Sequence, residues 1–246
     1  MLPRSSSLFH FTKSLDILQA ILKDGFWPRY CLEDIQWQGH VENEFVSFPM
    51  VCFCDIPIGR ISEHVNFYGS FGIGLTKEWG AKNNLNPIMY FAGNNPVHGA
   101  LQAITGIVTK LPDKAEHKAG LKNIRYILGH TKPTSGRMIL SGEPVRKDFY
   151  QESEWRFVPQ HTDISDYLSL EQFQKSDYLN ECNKKTSELC RLKFLPTDVK
   201  YIFVPSDADI PAIMNFLQSE LDHYPNADLK VLMARVTSLE SMSVDL

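Results

Sequence analysis

The chain has no apolar run approaching the roughly 20 residues that a membrane-spanning helix requires. It also has no CxxC pair, no His-x-x-x-His spacing, no internal repeat and no low-complexity tract. The opening Met1-Leu2-Pro3-Arg4-Ser5-Ser6-Ser7 lacks the basic-then-apolar order of a secretory signal, so a cytoplasmic protein with no membrane partner is expected. Five cysteines, an odd number, stand at positions 31, 52, 54, 182 and 190. Cys52 and Cys54 would share one face of a strand, but tetrahedral zinc needs a second ligand pair that the sequence does not supply. Reduced, buried thiols and no metal are therefore the expectation. Gly72-Ile73-Gly74 begins like a dinucleotide-binding loop, yet Lys77 occupies the place of the third glycine, which argues against a Rossmann unit.

What is present is ordinary in amount and uneven in arrangement. The 246 residues are 43% hydrophobic and 22% charged, enough for one large core or two small ones. The net charge is −4, but the stretch from Lys110 to Arg137 holds seven basic residues (Lys110, Lys114, Lys118, Lys122, Arg125, Lys132, Arg137) against Asp113 and Glu116. That segment reads as a basic helical insertion, at about 110–137, in a single domain covering 1–246. Its charge permits contact with phosphates, with Lys114, Lys118 and Lys122 as the candidate nucleic-acid contacts, although a solvated face is the commoner cause of such a run.

The most informative segment is Glu152-Ser153-Glu154-Trp155-Arg156-Phe157. Read as one extended strand, it places Glu152, Glu154 and Arg156 on one side, with Trp155 and Phe157 packed on the other. Paired carboxylates on a rigid strand suit chemistry in which positive charge develops at a sugar carbon. A solvated Glu–Arg edge is the plainer alternative. Near the start, Leu8-Phe9-His10-Phe11-Thr12 alternates so that His10 and Thr12 oppose Phe9 and Phe11, and the helix that follows is capped by Ser14 and stopped by Gly25. A ring nitrogen, a hydroxyl and a helix N-terminus together could receive an anionic ligand such as a dinucleotide. A lone strand histidine is nonetheless more often a hydrogen-bonded structural residue.

Elsewhere, residues 26–48 read as a loop in which Trp27, Tyr30 and Trp37 lie near Arg29, a grouping able to stack a ring. A short strand at Val51–Cys54 leads into a helix with Ile58, Ile61 and Val65 on its buried stripe, where His64 and Tyr68 share a face close to Ser70. Further strands are expected at 71–76, 86–91, 201–204 and 229–236. A helix capped by Asp209 is expected to bury Ile213, Leu217 and Leu221. Strands and helices intermixed without regular alternation indicate an α+β fold.

The run Ser7–Thr12, the block Phe48-Pro49-Met50-Val51-Cys52-Phe53-Cys54-Asp55-Ile56-Pro57 and the stretch Tyr68–Gly80 resemble the AbiGi family of abortive phage resistance, which is often labelled as antitoxin. A more distant resemblance is to ADP-ribosyltransferases: His10 with Thr12 matches their early strand and Glu152-x-Glu154 their late one. In place of the middle Ser-Thr-Ser this chain offers Tyr68 or Ser70. That second resemblance implies a split pair of small mixed β-sheets flanked by helices, with NAD as substrate. On it His10, Thr12, Tyr68, Ser70 and Arg29 hold NAD, Glu154 steadies the sugar cation, and Glu152 orients the acceptor. The implied function is a phage-defence toxin-like ADP-ribosyltransferase acting on a macromolecular acceptor such as RNA or DNA. The alternative is a non-enzymatic antitoxin or partner-binding component that meets a cognate toxin.

Overall fold

The computed structural model describes residues 5–38, 45–93, 95–140 and 143–245. Among the described residues the strands are β1 Ser7–Thr12, β2 Arg29–Asp34, β3 Phe45–Cys54, β4 Phe71–Thr76, β5 Asn86–Pro87, β6 Met89–Phe91, β7 Thr131–Pro133, β8 Ser135–Leu140, β9 Glu143–Asp148, β10 Glu154–Phe157, β11 Leu168–Ser169, β12 Val199–Val204 and β13 Val236–Ser238. The helices are α1 Leu15–Asp24, α2 Ile61–Tyr68, α3 Lys77–Lys82, α4 Pro96–Val108, α5 Lys114–Leu128, α6 Leu170–Gln174, α7 Ser176–Leu189, α8 Ile210–Glu220, α9 Asn226–Met233 and α10 Leu239–Asp245. This is a mixed α+β architecture, as the intermixed pattern predicts. The chain divides into two compact units, each assembled from separated segments: Met1–Trp27, Cys52–Leu85 and Arg191–Leu246 form the first, and Pro28–Val51 with Asn86–Cys190 the second.

In the first unit β4 runs antiparallel to both β1 and β12, and β13 joins β12 in parallel. The register explains two strand glycines. Gly74 lies opposite Phe9 and Tyr201, and Gly72 opposite Phe11 and Phe203. With no side chain on β4 at these positions, rings from the flanking strands close over its backbone, and a Cβ on Gly74 would sit 2.8 Å from the Phe9 ring. Tyr201 and Phe203 stack at 5.6 Å, and Phe11 stacks on Phe203 at 5.7 Å. Ile56 and Ile61 complete this aromatic core. Local chemistry sets the helix ends: the Ser14 hydroxyl accepts from Ile17 N–H at the start of α1, and Gly25, at φ +81°, ends it.

The second unit pairs β2 with β3 from Arg29↔Met50 to Asp34↔Phe45, and β11 adds to β3 at Leu168↔Ser47. β5 pairs with β10, β6 runs parallel to β7, and β8 with β9 forms an antiparallel ribbon. The polar helix α7 is held by Asn183, whose side-chain oxygen accepts from Tyr30 N–H, and by Thr186, whose hydroxyl donates to the Pro28 carbonyl.

Four expectations from sequence are corrected. Residues 29–34 are a strand rather than loop, and the strand expected at Val51–Cys54 starts already at Phe45 inside the expected loop, because mutual hydrogen bonding of two mixed-polarity segments outweighs their weak individual patterns. The segment expected as one strand at 86–91 breaks in two: Pro87 has no N–H to donate, and the chain changes partner from β10 to β7. The last expected strand is mostly helix α9, in which Leu232 is buried, and extended structure begins only at Val236. Asp209 does not cap α8 through its side chain; its carboxylate accepts from Ser206 and closes the 3₁₀ turn before the helix.

Candidate functional site

The Glu152–Phe157 segment is not one strand. Residues Phe149–Glu152 form a 3₁₀ turn, Ser153 takes a left-handed conformation at φ +45°, and β10 begins only at Glu154. The faces are also the reverse of expectation. Glu154 and Arg156 are buried, while Trp155 and Phe157 are half-exposed, because the charged side chains find partners inside the second unit. The turn still delivers Glu152 to the same place as Glu154, through a shared lysine.

That lysine is Lys132 on β7. Its Nζ lies 2.9 Å from Glu154 Oε2 and 3.5 Å from Glu152 Oε2, with the Phe149 ring centroid 4.4 Å away. Lys147 on β9 donates to Glu152 Oε1 at 2.5 Å. The fully buried Arg156 guanidinium donates Nε to Glu154 Oε1 at 2.6 Å, Nη2 to Glu33 Oε1 at 2.9 Å and Nη1 to the Gly129 carbonyl at 2.7 Å. Three acids thus meet three bases, and the cluster carries no net charge. The backbone is stitched alongside: Glu154 N–H donates to the Tyr90 hydroxyl at 2.9 Å, and Ile88 N–H donates to the Glu154 carbonyl at 3.0 Å.

The electrostatics follow from burial and pairing. Burial works against the Lys132 ammonium, but the carboxylates of Glu154, Glu33 and Glu152 outweigh it and raise its pKa. Burial and Glu154 push against an ionised Glu152, yet Lys132 and Lys147 hold its pKa below the usual carboxylate range. Burial raises the Tyr90 phenol, which stays protonated. Next to the cluster, burial also pushes the Cys31 thiol up to about 11, so it is not a nucleophile near neutral pH.

A carboxylate that stabilises a sugar cation must present an oxygen to the ligand. Glu154 accepts from Arg156 at one oxygen and from Lys132 at the other, so a ribose hydroxyl would share those oxygens with two bases. The arrangement ties β2, β7, β9, β10 and the turn before β10 together through their side chains.

The remaining candidates are dispersed. His10 Nδ1 lies 2.8 Å from the Cys52 carbonyl, and its ring meets the Phe26 ring edge-on at 5.2 Å. Burial lowers its pKa, so the ring is neutral. Thr12 is buried, and its carbonyl is approached so closely by Gly69 that a Cβ there would lie 2.2 Å away. Tyr68 stacks near His64 at 4.4 Å and packs against the aromatic core, with half-buried Ser70 in the bend after it. Arg29 is exposed on β2. Trp37 packs on Phe91 at 5.1 Å and on His98 at 5.5 Å, beside a cavity of about 440 Å³ in the second unit.

The basic run is corrected as well. Lys132 belongs to the buried cluster, Arg125 pairs with Asp166 at 2.5 Å, and Arg137 pairs with Asp34 at 3.0 Å. Lys114, Lys118 and Lys122 follow one another at four-residue spacing on α5, which starts at the Asp113 cap. Glu33, Lys147 and Tyr90 were not legible as site residues, since no local spacing links them to Glu154. For Lys132 the only signal was an unusual density of charge. Among the described residues no group of three His, Cys, Asp or Glu side chains is placed to hold a metal, and no helix is long and apolar enough to cross a membrane.

The chain is a mixed α+β protein whose second unit buries a cluster of paired acids and bases. Residues 24–205 match the family described as "Putative abortive phage resistance protein AbiGi, antitoxin". The chain belongs to that family. It is 25% identical to an abortive phage resistance protein AbiGi of Lactococcus lactis subsp. cremoris, over 89% of this chain and 99% of that relative. No solved structure matches this chain.

Proposed function

We propose that this protein is the antitoxin of an abortive infection pair and acts by binding a cognate toxic protein. The family description supports the role. The observation that carries the reading is the pairing of Glu152 and Glu154 with Lys132, Lys147 and Arg156, which puts a base against each of their carboxylate oxygens. An antitoxin needs a stable surface rather than a reactive one, and a cluster that ties strands of separate pairings together serves that end.

The test is expression in a bacterial host, alone and together with the toxic protein of the same system. Expressed alone the chain should leave growth unchanged, and together with the toxin it should restore growth. The competing reading is ADP-ribosyl transfer from NAD through Glu154, with Glu152 orienting a nucleic-acid or protein acceptor. Its sign would be growth arrest by this chain alone, with label from NAD on RNA, DNA or protein, both abolished by Glu154→Gln. That outcome would replace the antitoxin reading.

A further inference from the structure

Helix α5 carries a row of lysines on the side away from α4. Gly120 meets α4, where a Cβ would lie 2.6 Å from Val108 Cγ1, and Ile124 is buried. At about 100° per residue, Lys114, Lys118 and Lys122 project within a sector of about 80° that lies opposite Gly120. Lys114 and Lys118 are exposed and Lys122 is half-buried. Among the described residues none of the three pairs with an acid, whereas Arg125, Arg137 and Lys132 are committed to Asp166, Asp34 and the buried cluster. Of the two acids in this run, Asp113 is engaged in capping the N–H groups of Ala115 and Glu116, and Glu116 itself projects away from the lysines. A charged row alone is most often a solvated face. What stands at its end is less ordinary.

Arg125, three residues past Lys122, projects into the same sector, between the directions of Lys114 and Lys118. Its Nε donates to Asp166 at 2.5 Å, and its guanidinium carbon lies 4.8 Å from the centre of the Tyr167 ring. Tyr167 is 38% exposed. The backbone is anchored on both sides of it: the Tyr30 hydroxyl donates to the Ser165 carbonyl at 2.5 Å, and fully buried Leu168 pairs with Ser47 of β3. An aromatic ring is thus held at the surface where the basic row ends, and the arginine of that row already lies over it.

We propose that the lysine row of α5 and Tyr167 form a binding track for a single-stranded polynucleotide, with its phosphates along Lys114, Lys118 and Lys122 and an unpaired base stacked on Tyr167. Four-residue spacing sets the lysines about 6 Å apart along the helix axis, so the charge forms a line rather than a point. A line of separate cations suits a polyanionic backbone, and an exposed ring suits a base, which always has a π-face to offer. A duplex is the poorer occupant, since its bases stack on one another and leave no face for the tyrosine. An acidic peptide is poorer too, as it matches the lysines but brings no ring to Tyr167. The track goes beyond the antitoxin reading and does not depend on it.

Fluorescence anisotropy on the full chain tests this with four labelled probes: oligouridine and oligothymidine of about 12 nucleotides, a DNA duplex of the same length and a polyglutamate peptide. The single strands should bind, and the tighter of the two identifies the source as RNA or DNA. The logarithm of the affinity should fall with the logarithm of salt at a slope of about −2, from roughly 0.7 for each contacted phosphate. Changing Lys114, Lys118 and Lys122 together to Gln should remove about 2 from that slope. Tyr167→Leu should weaken single-strand binding about fivefold or more at an unchanged slope, and Tyr167→Phe should bind as wild type does. Loss of slope in one variant and of affinity alone in the other is a division that misfolding cannot imitate. Absence of single-strand binding at about 50 mM salt would overturn the proposal. So would equal or tighter binding of the duplex or of polyglutamate, and so would wild-type binding by either the triple Gln variant or Tyr167→Leu.

Discussion

The two compact units solve the same problem with opposite chemistry. The first fills its centre with rings: Phe9, Phe11, Tyr201 and Phe203 lie over a strand kept bare by Gly72 and Gly74. The second keeps Glu33, Lys132, Lys147, Glu152, Glu154 and Arg156 together in its interior. An aromatic core gains directly from area removed from water. A buried ionic cluster roughly breaks even against an apolar one of the same volume, but it accepts only one arrangement of its strands and is costly to break by halves. The first unit should therefore tolerate a change of ring shape better than a change of volume, and the second should tolerate neither loss nor shift of a single charge.

The largest effects should come from single deletions at the two centres. Arg156→Met leaves Glu33 and Glu154 without their guanidinium and should cost about 3–5 kcal/mol in urea unfolding followed by circular dichroism. Phe9→Ala should cost a similar ~3–5 kcal/mol. A loss under about 1 kcal/mol for Arg156→Met would show that water reaches the cluster, and the contrast between the units would fail. Combining Glu154→Gln with Arg156→Met should cost less than the two singles summed, by about 0.5–3 kcal/mol, because the second change removes a charge that the first has already orphaned.

Acidity separates the centres further. Glu152 is held below its ordinary value near 4.5, so its share of stability is present above that pH and is lost as pH falls through the lower native value. Lys132 is raised above its ordinary 10.5, so its share is complete below that pH and is lost as pH rises through the higher native value. The deficit caused by Phe9→Ala should stay nearly constant between pH 7 and pH 4, as no carboxylate belongs to that core. The deficit caused by Arg156→Met should shrink in acid as the stranded carboxylates protonate. Parallel pH profiles for the two variants would refute the distinction.

Smaller effects probe the glycine row and the helix ends. Gly74→Ala must push the Phe9 and Tyr201 rings aside and should cost about 1–3 kcal/mol, with partial recovery when Phe9→Leu is added. A neutral Gly74→Ala would mean that the rings are not close-packed over β4. Thr76→Ala removes the side-chain acceptor of Trp79 N–H at the start of α3 and should lower stability by about 1 kcal/mol in the same assay.

Local order was largely legible from local chemistry. Ser14 and Gly25 bracket α1, Phe71–Thr76 is a strand, and the alternation of β1 does send Phe9 and Phe11 to one side and His10 to the other. Caps, turns and alternation act over a few residues, so a single segment contains all the information they need. The family, too, was legible in three short blocks of sequence.

Only the tertiary structure decided what the charged residues do. Glu154 looked like a presented acid because alternation reports that two residues share a face but not whether that face is wet or dry. One of its neutralising partners, Lys132, lies 22 residues away within a basic run whose commoner explanation is a solvated face, and the other, Arg156, is shared with the still more distant Glu33. The sequence by itself determined the family, the α+β class and the segments that turn apolar side chains inward. Folding alone decided that Glu152 and Glu154 pair with Lys132, Lys147 and Arg156 in the interior, because a charge acquires its partners only when the fold brings distant segments together.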